Sequence, residues 1–148
     1  LMAQSQDIIF LSSEGKDRIT FKKEGDIQTN GISIEFTRDK NPEYDRNSFD
    51  ISIRNSGFNV RGLVDFVEFI KDWSNYARNS DWIFPVSDDG ELRVVIDRNS
   101  NGRILAFGKY SMKIIYAVPR IFDLKFEIIV DVSCADSFIE QYSYLYSV

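Results

Sequence analysis

Apolar residues recur at every second position over much of this chain, and this alternation is the feature that most limits how it can fold. The pattern is clear in four segments, at residues 32–37, 49–54, 92–97 and 122–130. Because successive side chains of a β-strand point to opposite faces, each segment is predicted to be a strand with one buried face. Residues 7–12 and 18–22 also have β-like composition and are separated by turn residues, which predicts two further short strands.

One segment has a different period. Between residues 63 and 79 the apolar side chains recur every three or four positions, which predicts an amphipathic helix that ends near Asn79. A second, short helix is predicted at the C-terminus, with Asp136 as its cap. The long apolar stretch at residues 104–118 is predicted to form two strands, or one bent strand, with the break near Gly108.

This order of elements predicts an α+β fold, with a mainly antiparallel sheet that is curved or sandwich-like. A chain of 148 residues suits one domain, so we expect residues 1–148 to form a single unit. Polar residues at 39–47, including Pro42, are predicted to form a loop. The predicted core contains the apolar residues of the helix stripe and of the buried strand faces: Ile34, Phe36, Ile51, Ile53, Phe66, Val67, Ile70, Leu92, Val94, Ile96, Leu124, Phe126 and Ile128.

The net charge of −5 limits the partners that we expect. Phosphates are bound through accumulated Lys and Arg, so nucleic acid is not an expected ligand. A basic protein is favoured instead, because opposite net charges speed encounter. The N-terminal residues lack a signal-peptide pattern, the apolar runs are too short to span a membrane, and the single cysteine excludes an internal disulfide. These observations predict a cytoplasmic protein without a membrane partner.

Charge is also uneven along the chain. Residues 81–97 contain five acidic residues against one arginine, a net charge of −4, whereas residues 98–120 contain five basic residues and no acid, a net charge of +5. Residues 121–148 return to −4, with five acids against Lys125. Two interpretations are open. Either neighbouring antiparallel strands pair these charges, or the acidic segment forms an edge that meets a basic partner.

The absence of histidine is the main argument against an enzyme. It removes Ser-His-Asp triads, Cys-His pairs and nearly all zinc sites. Cys134 has no imidazole to activate its thiol, so we interpret it as a small apolar residue at the start of the last helix. The scattered glycines form no phosphate-binding motif, and the spacing of the carboxylates indicates no convergent pair. We therefore expect no enzymatic activity, no catalytic residue and no cofactor.

The best metal candidate is the segment at residues 97–102, which matches the first half of a calcium-binding loop, D-x-N-x-N-G. The twelfth position of such a loop needs a bidentate Glu, but Gly108 stands there. A hairpin turn explains Asn101 and Gly102 equally well. We therefore predict a turn and no metal ligands.

Aromatic residues make up 14% of the chain, which is enough to fill a core and still supply an interface. Trp82 is interpreted as a core residue or as an anchor for a partner, with the core position favoured. Tyr142, Tyr144 and Tyr146 cannot all face inward on one short helix, so part of their ring surface is predicted to be exposed.

Several segments together resemble a bacterial family of small domains that includes WapI-type immunity proteins. They are Gly-Leu-Val-Asp-Phe-Val-Glu-Phe-Ile-Lys-Asp-Trp at 62–73, Trp82, Asp-Asp-Gly-Glu-Leu-Arg-Val at 88–94, Asp97, Asn-Gly-Arg-Ile-Leu-Ala-Phe at 101–107, and a final strand with a short helix. The similarity covers residues 60–145. It departs at Arg103, where the family tends to have His. Proteins of this kind neutralise a cognate toxin by binding its toxin domain.

The resemblance, the acidity and the missing catalytic groups together predict an immunity protein that binds a basic toxin, such as a nuclease. The binding face is predicted to contain four acidic residues with Trp82 as anchor: Asp81, Asp88, Asp89 and Glu91. Two other classes remain open. One is a structural or assembly subunit, and the other is a small carboxylate-based hydrolase or ligand-binding domain.

Overall fold

The computed structural model describes residues 7–24, 30–39 and 47–146, so the predicted loop at residues 39–47 lies mostly outside the described part of the chain. The described residues form ten strands and two helices. In chain order they are β1 (Ile8–Leu11), β2 (Asp17–Lys23), β3 (Ile32–Arg38), β4 (Phe49–Ile53), α1 (Val60–Tyr76), β5 (Ser80–Val86), β6 (Gly90–Asp97), β7 (Asn99–Ser100), β8 (Arg103–Ile104), β9 (Tyr110–Val118), β10 (Phe122–Val130) and α2 (Val132–Tyr146).

The strands form two four-stranded antiparallel sheets and one small hairpin. The first sheet has the order β1-β2-β3-β4, the second has the order β10-β9-β6-β5, and β7 pairs with β8. Phe21 and Ile34 of the first sheet and Leu92 and Val94 of the second line one apolar cavity of about 10 Å³, so the two inner faces meet in the core. The predicted α+β fold with antiparallel, sandwich-like sheets is confirmed.

The strand predictions were accurate where one face is apolar and the other polar. Ile51 and Leu124, which lie on strands at the edge of their sheets, are only half-buried, whereas the other predicted core residues are buried. The strand β5 was not predicted. Its outward positions include Ile83 and Pro85, which hide the alternation of apolar and polar residues. The predicted break near Gly108 is confirmed, because β8 and β9 are separate strands.

The helix α1 begins at Val60, three residues before the predicted start. Asn59 caps it, because its side-chain oxygen accepts a hydrogen bond of 3.0 Å from the backbone nitrogen of Gly62. A Cβ at Gly62 would lie 2.7 Å from the ring of Phe58, so the first turn needs a glycine to pack against this ring. Gly62, which precedes the predicted start of the helix, thus lies inside it.

The same helix ends at Tyr76, which corrects the predicted end near Asn79. Ala77 adopts a left-handed conformation with φ of 48°, and its N–H donates to the carbonyl oxygen of Trp73 at 2.6 Å. This arrangement satisfies one of the carbonyl groups that a helix end leaves without a partner. A left-handed residue other than glycine or asparagine is a stop signal that the sequence does not reveal.

The helix α2 begins at Val132, so the prediction that Asp136 caps it was wrong. Asp131 is the residue that caps it. Its carboxylate accepts a hydrogen bond of 3.2 Å from the backbone nitrogen of Cys134 and another from the hydroxyl of Ser133. The helix has 15 residues and is not short. Neither of the described helices is long and apolar enough to cross a membrane.

The ring of Phe66 on α1 joins the layers of the fold. Its centroid lies 5.4 Å from that of Phe21 on β2, 5.2 Å from that of Trp82 on β5 and 5.6 Å from that of Phe138 on α2. Tilted and edge-to-face ring pairs at such distances each contribute roughly 0.5–1.5 kcal/mol beyond the burial of their surface. Both helices are thereby fixed against the two sheets.

Edge strands of both sheets are covered by contacts to their backbone. The Gln141 side chain of α2 donates to the carbonyl oxygen of Ile9 at 2.8 Å and accepts from its N–H at 2.9 Å, so one amide pairs with β1 as another strand would. On the edge strand β10, the N–H of Ser13 donates to the carbonyl oxygen of Ile129 at 2.9 Å. Such contacts occupy groups that would otherwise accept a further strand.

We predict that Gln141→Ala lowers the free energy of unfolding by about 1–3 kcal/mol, because it leaves the N–H and the carbonyl of Ile9 without partners. Urea denaturation followed by circular dichroism measures this change. Glu140→Ala is the matched control, since Glu140 is exposed on the same helix and should change the free energy by no more than about 0.5 kcal/mol. Equal effects of the two substitutions would contradict the prediction.

A second prediction concerns the cap of α2. The hydrogen bond from Ser133 and the contact with Lys109 at 3.1 Å lower the pKa of Asp131 from 3.8 to about 2. A carboxyl group with a lowered folded-state pKa stabilises the fold above its unfolded-state pKa, and this contribution is lost as the pH falls through the folded-state pKa. Asp131→Asn should therefore cost about 1–2 kcal/mol near neutral pH.

The difference between the Asp131→Asn variant and the wild type should then shrink as the pH falls from about 4 to about 2. Urea denaturation of both proteins at several pH values across this window provides the measurement. A difference that is independent of pH would show that the Asp131 carboxylate does not stabilise α2 through its charge.

Candidate protein-interaction surface

Trp82, the predicted anchor for a partner, lies in the core of the free protein. Its ring stacks on Phe84 with centroids 6.0 Å apart and on Phe69 at 6.1 Å, and its Nε1 donates to Asp65 at 2.9 Å. Only 9% of the residue is exposed, so a partner could reach no more than the rim of the ring. The core position favoured for Trp82 is therefore confirmed, and its visible role is to hold β5 against α1.

Asp81, the next predicted site residue, is already engaged within the sheet. Its carboxylate accepts hydrogen bonds of 2.6 and 3.1 Å from the guanidinium group of Arg93 on the adjacent strand, and these bonds lower the pKa of Asp81. The contact between Lys113 and Glu127 at 4.0 Å is of the same type. For these residues the interpretation that charges pair across the ladder is confirmed.

The remaining predicted acids lie at the turn between β5 and β6. The N–H of Gly90 donates to the carbonyl oxygen of Ser87 at 3.1 Å, and the two central residues, Asp88 and Asp89, have φ of 61° and 58°. Positive φ at both central positions is typical of a type I′ hairpin turn. Glu91 follows on β6. All three carboxyl-bearing residues are exposed, and they lie about 13–20 Å along the strand from Asp81.

A second turn lies beside the first. The N–H of Ile121 donates to the carbonyl oxygen of Val118 at 3.1 Å, which closes the connection between β9 and β10. A Cβ at Gly90 would lie 3.0 Å from the Cγ2 atom of Val118, and Glu91 is opposite Ala117 in the β6–β9 register. The two turns therefore meet at one end of the second sheet.

Large apolar side chains are exposed between these acids. Ile121 is 72% exposed and Phe122 is 45% exposed, and the ring centroid of Phe122 lies 6.2 Å from that of Tyr116. Burial, followed by the negative charge of Asp88, raises the pKa of Tyr116, which agrees with the closeness of the two turns. The name acidic end is used below for six residues: Asp88, Asp89, Glu91, Ile121, Phe122 and Asp123.

The carboxylates of the acidic end differ from those of Asp81 and Glu127, which form ion pairs within the second sheet. Among the residues that the structure describes, none forms an ion pair with Asp88, Asp89, Glu91 or Asp123. Arg120 is the basic residue that lies in the same turns. The acidic end therefore combines accessible negative charge with exposed apolar groups, an arrangement typical of protein-binding surfaces.

The apolar half of this surface was missed by sequence analysis. Phe122 fits the period-two pattern of the buried face of β10, but it is the first residue of the strand and is 45% exposed. Ile121 is in a turn that touches the acidic turn only because β6 and β9 pair. The juxtaposition of Asp88 with Ile121 depends on a pairing between distant parts of the chain.

The turn at the acidic end contains a testable strain. Arg120 occupies the third position of the turn formed by residues 118–121. Its φ is 66°, a value at which glycine is preferred. Arg120→Gly should therefore raise the free energy of unfolding by up to about 1 kcal/mol. Thermal and urea denaturation measure the change. Arg120→Ala removes the same charge but keeps the strain, so stabilisation by both variants would contradict the conformational explanation.

The predicted turn at residues 97–102 is confirmed. Asn101 and Gly102, with φ of 53° and 78°, connect β7 to β8, and Asp97 accepts a hydrogen bond of 2.7 Å from the backbone nitrogen of Asn99. Within the described ranges, no group of three or more His, Cys, Asp or Glu residues is arranged to hold a metal ion.

Burial raises the pKa of the Cys134 thiol, which keeps it in its unreactive protonated form.

One surface groove brings two carboxylates near each other and bears on the hydrolase alternative. It lies between α1 and β5 and is lined in part by Asp65 and Glu68. Asp65 accepts the hydrogen bond from Trp82, and Glu68 contacts Lys71 at 3.4 Å. Both carboxylates therefore have structural partners, Trp82 for Asp65 and Lys71 for Glu68.

The tyrosines of α2 divide as predicted. Tyr144 is 77% exposed, whereas Tyr142 and Tyr146 are half-buried and stack with their ring centroids 5.6 Å apart. The exposed ring of Tyr144 stands apart from the acidic end in sequence and on a different element. It therefore provides a control position for experiments on exposed aromatic groups.

Comparison of this chain with protein-family models, with curated proteins and with solved structures finds no match. The features of this chain that bear on its function are therefore the acidic end, the net charge and the sequence motifs. Of these, the acidic end offers the most direct physical test, because its residues are exposed and can be substituted without disturbing the core.

Proposed function

We propose that this chain is an immunity-type protein that binds and neutralises a basic toxin domain through its acidic end. The observation that carries the proposal is the exposure of Ile121 and Phe122 beside the carboxylates of Asp88, Asp89 and Glu91. The resemblance of residues 60–145 to WapI-type immunity proteins supports a toxin as the partner.

The two kinds of group at the acidic end would contribute differently to binding. Ile121 and Phe122 supply apolar surface whose burial slows dissociation, as in interfaces where a few central residues dominate the affinity. The carboxylates of Asp88 and Asp89 attract a basic partner over distances of up to about 10 Å at physiological salt and so speed association. A nuclease domain fits this field, because a protein that binds phosphates carries accumulated Lys and Arg.

The proposal also assigns no chemical step to the chain. It contains no histidine, the thiol of Cys134 is held in its protonated form, and the carboxylates of Asp65 and Glu68 are engaged with other side chains. These observations favour a binding role over hydrolysis. The proposal places the chain in the cytoplasm, where an immunity protein would meet a toxin on entry.

Co-expression provides the test of the function itself. The protein encoded immediately upstream of this chain should contain a domain that stops growth when it is expressed alone in the cytoplasm. Simultaneous expression of this chain should restore growth, and the two proteins should co-purify. An upstream protein that is harmless, or one that remains toxic in the presence of this chain, would contradict the immunity role.

Binding kinetics test the surface. Asp88→Asn with Asp89→Asn removes two charges and keeps residues that tolerate positive φ. This variant should associate with the toxin domain roughly threefold to tenfold more slowly at low salt. Ile121→Ser should increase the dissociation rate about tenfold, which corresponds to a loss of about 1.4 kcal/mol.

A matched control separates local from overall charge. Asp136→Asn with Glu140→Gln removes the same net charge from exposed positions of α2 and should leave both rate constants within about twofold of the wild type. Surface plasmon resonance at several salt concentrations gives both constants. Restored growth with unchanged kinetics in the Asp88 and Ile121 variants would move the binding surface elsewhere without contradicting the immunity role.

A further inference from the structure

The opposite end of the second sheet carries a surface of opposite charge. It lies where β6 ends and β9 begins, and the name basic end is used below for four of its residues: Arg98, Arg103, Ile104 and Phe107. Ile104 is 78% exposed and Phe107 is 96% exposed. Residues 98–120 contain no acidic residue, and the carboxylate of Asp97, which precedes Arg98, accepts a hydrogen bond from the backbone nitrogen of Asn99. An almost fully exposed phenylalanine is unfavourable in water unless a partner covers it.

The exposure of Phe107 is fixed by hydrogen bonds of the loop. The N–H of Lys109 donates to the carbonyl oxygen of Ala106 at 3.0 Å, with Gly108 at φ of 81°, so Phe107 stands at the corner of a closed turn. The N–H of Leu105 donates to the carbonyl oxygen of Arg98 at 2.8 Å. The chain therefore holds this ring outward.

Arg98 stabilises the same loop with its side chain. Its Nη2 donates to the carbonyl oxygen of Leu105 at 3.3 Å, and its guanidinium carbon lies 6.0 Å from the ring centroid of Phe107 and 5.9 Å from that of Tyr110. A cation between two rings is attracted to both of their faces. Together with the exposed Arg103, it gives the basic end a local positive charge beside apolar groups.

The number of free basic side chains at the basic end indicates which kind of partner it can bind. Lys109 is occupied by Asp131 at 3.1 Å, so Arg98 and Arg103 are the basic groups that remain beside the exposed apolar residues. Two cations match a pair of carboxylates. A polyanion such as nucleic acid or an anionic membrane is bound through many phosphate contacts and is opposed by the net charge of −5.

The acidic end of the same chain has the complementary properties. It offers the carboxylates of Asp88 and Asp89 beside Ile121 and Phe122, as described above. The strand β9 separates the two ends, and its nine residues span about 30 Å. The two surfaces therefore cannot meet within one molecule, whereas two molecules can join them.

We infer that the basic end of one molecule docks on the acidic end of a second copy of this chain. The contact would place Phe107 and Ile104 against Ile121 and Phe122, with the arginines of one copy facing the carboxylates of the other. Because the two surfaces differ, the contact is head-to-tail and leaves one free surface of each kind on every dimer. Assembly then continues with concentration and weakens with salt.

This inference does not rest on the immunity role, but both the toxin and a second copy of the chain would bind the acidic end. A toxin on the acidic end and a second copy on the acidic end exclude each other. Self-association would therefore reduce the concentration of chain that is free to bind the partner. Dilution would release it, since docking between copies depends on concentration.

Sedimentation velocity tests the inference with two variants that each lose one surface. Ile104→Ser with Phe107→Ser removes the apolar groups of the basic end. Asp88→Asn with Asp89→Asn and Ile121→Ser weakens the acidic end. We expect the wild type to show a sedimentation coefficient that rises with concentration from the micromolar to the millimolar range at low salt, and each variant to remain monomeric.

The decisive sample is an equimolar mixture of the two variants. Each variant keeps the surface that the other has lost, so the mixture should form a dimer and no larger species. Tyr144→Ser, at another exposed aromatic residue, should associate as the wild type does. Circular dichroism and thermal melting confirm that each variant is folded.

Three results would overturn the inference. They are a wild type that stays monomeric over the whole range, a mixture of variants that forms no dimer, and a closed dimer that both variants abolish and that mixing fails to restore. A monomeric wild type that cosediments with vesicles of anionic phospholipid would assign the basic end to membranes instead.

Discussion

The contact of Phe66 with aromatic rings from three other elements is the interaction on which the rest of the structure depends. Phe21, Trp82 and Phe138 belong to the first sheet, the second sheet and the C-terminal helix, so this one ring is common to all the layers. The packing of Phe66 therefore helps to hold the second sheet in its orientation against the first sheet and α2.

That orientation separates the charges of the chain in space. The β6, β9 and β10 strands run along one another, so the acidic turn meets the Ile121 turn at one end, while the loop that contains Phe107 lies at the other. Between the two ends, opposite charges neutralise one another across the ladder, as Asp81 and Arg93 do. At the two ends of the sheet, accessible charge lies beside exposed apolar groups.

The parts of the fold that sequence could predict are those set by local patterns. In β3, β4, β6, β10 and α1, one face of the element is apolar. The alternation in the strands and the stripe in the helix therefore show which side chains are buried. The strand β5 was hidden because Ile83 and Pro85 face outward, and the start of α2 was misplaced because Asp131 rather than Asp136 accepts the capping hydrogen bond.

The candidate surface was predictable only in part for the same reason. Asp88, Asp89 and Glu91 are neighbours in the sequence and remain neighbours in the fold. Asp81 is the second residue of β5 in the same hairpin but is bound to Arg93, and the apolar partners of the acids come from another turn. Proximity that depends on strand pairing cannot be read from a single local segment.

The hydrogen bonds between Gln141 and Ile9 make the last turns of α2 important for the edge of the first sheet. The amide side chain blocks the addition of another strand to β1, and Pro85 lacks the N–H that an incoming strand would need on β5. A protein truncated before Gln141 would leave the β1 backbone ready to template growth of cross-β aggregates. The last turns of α2 thus protect the solubility of a strand at the other end of the sequence.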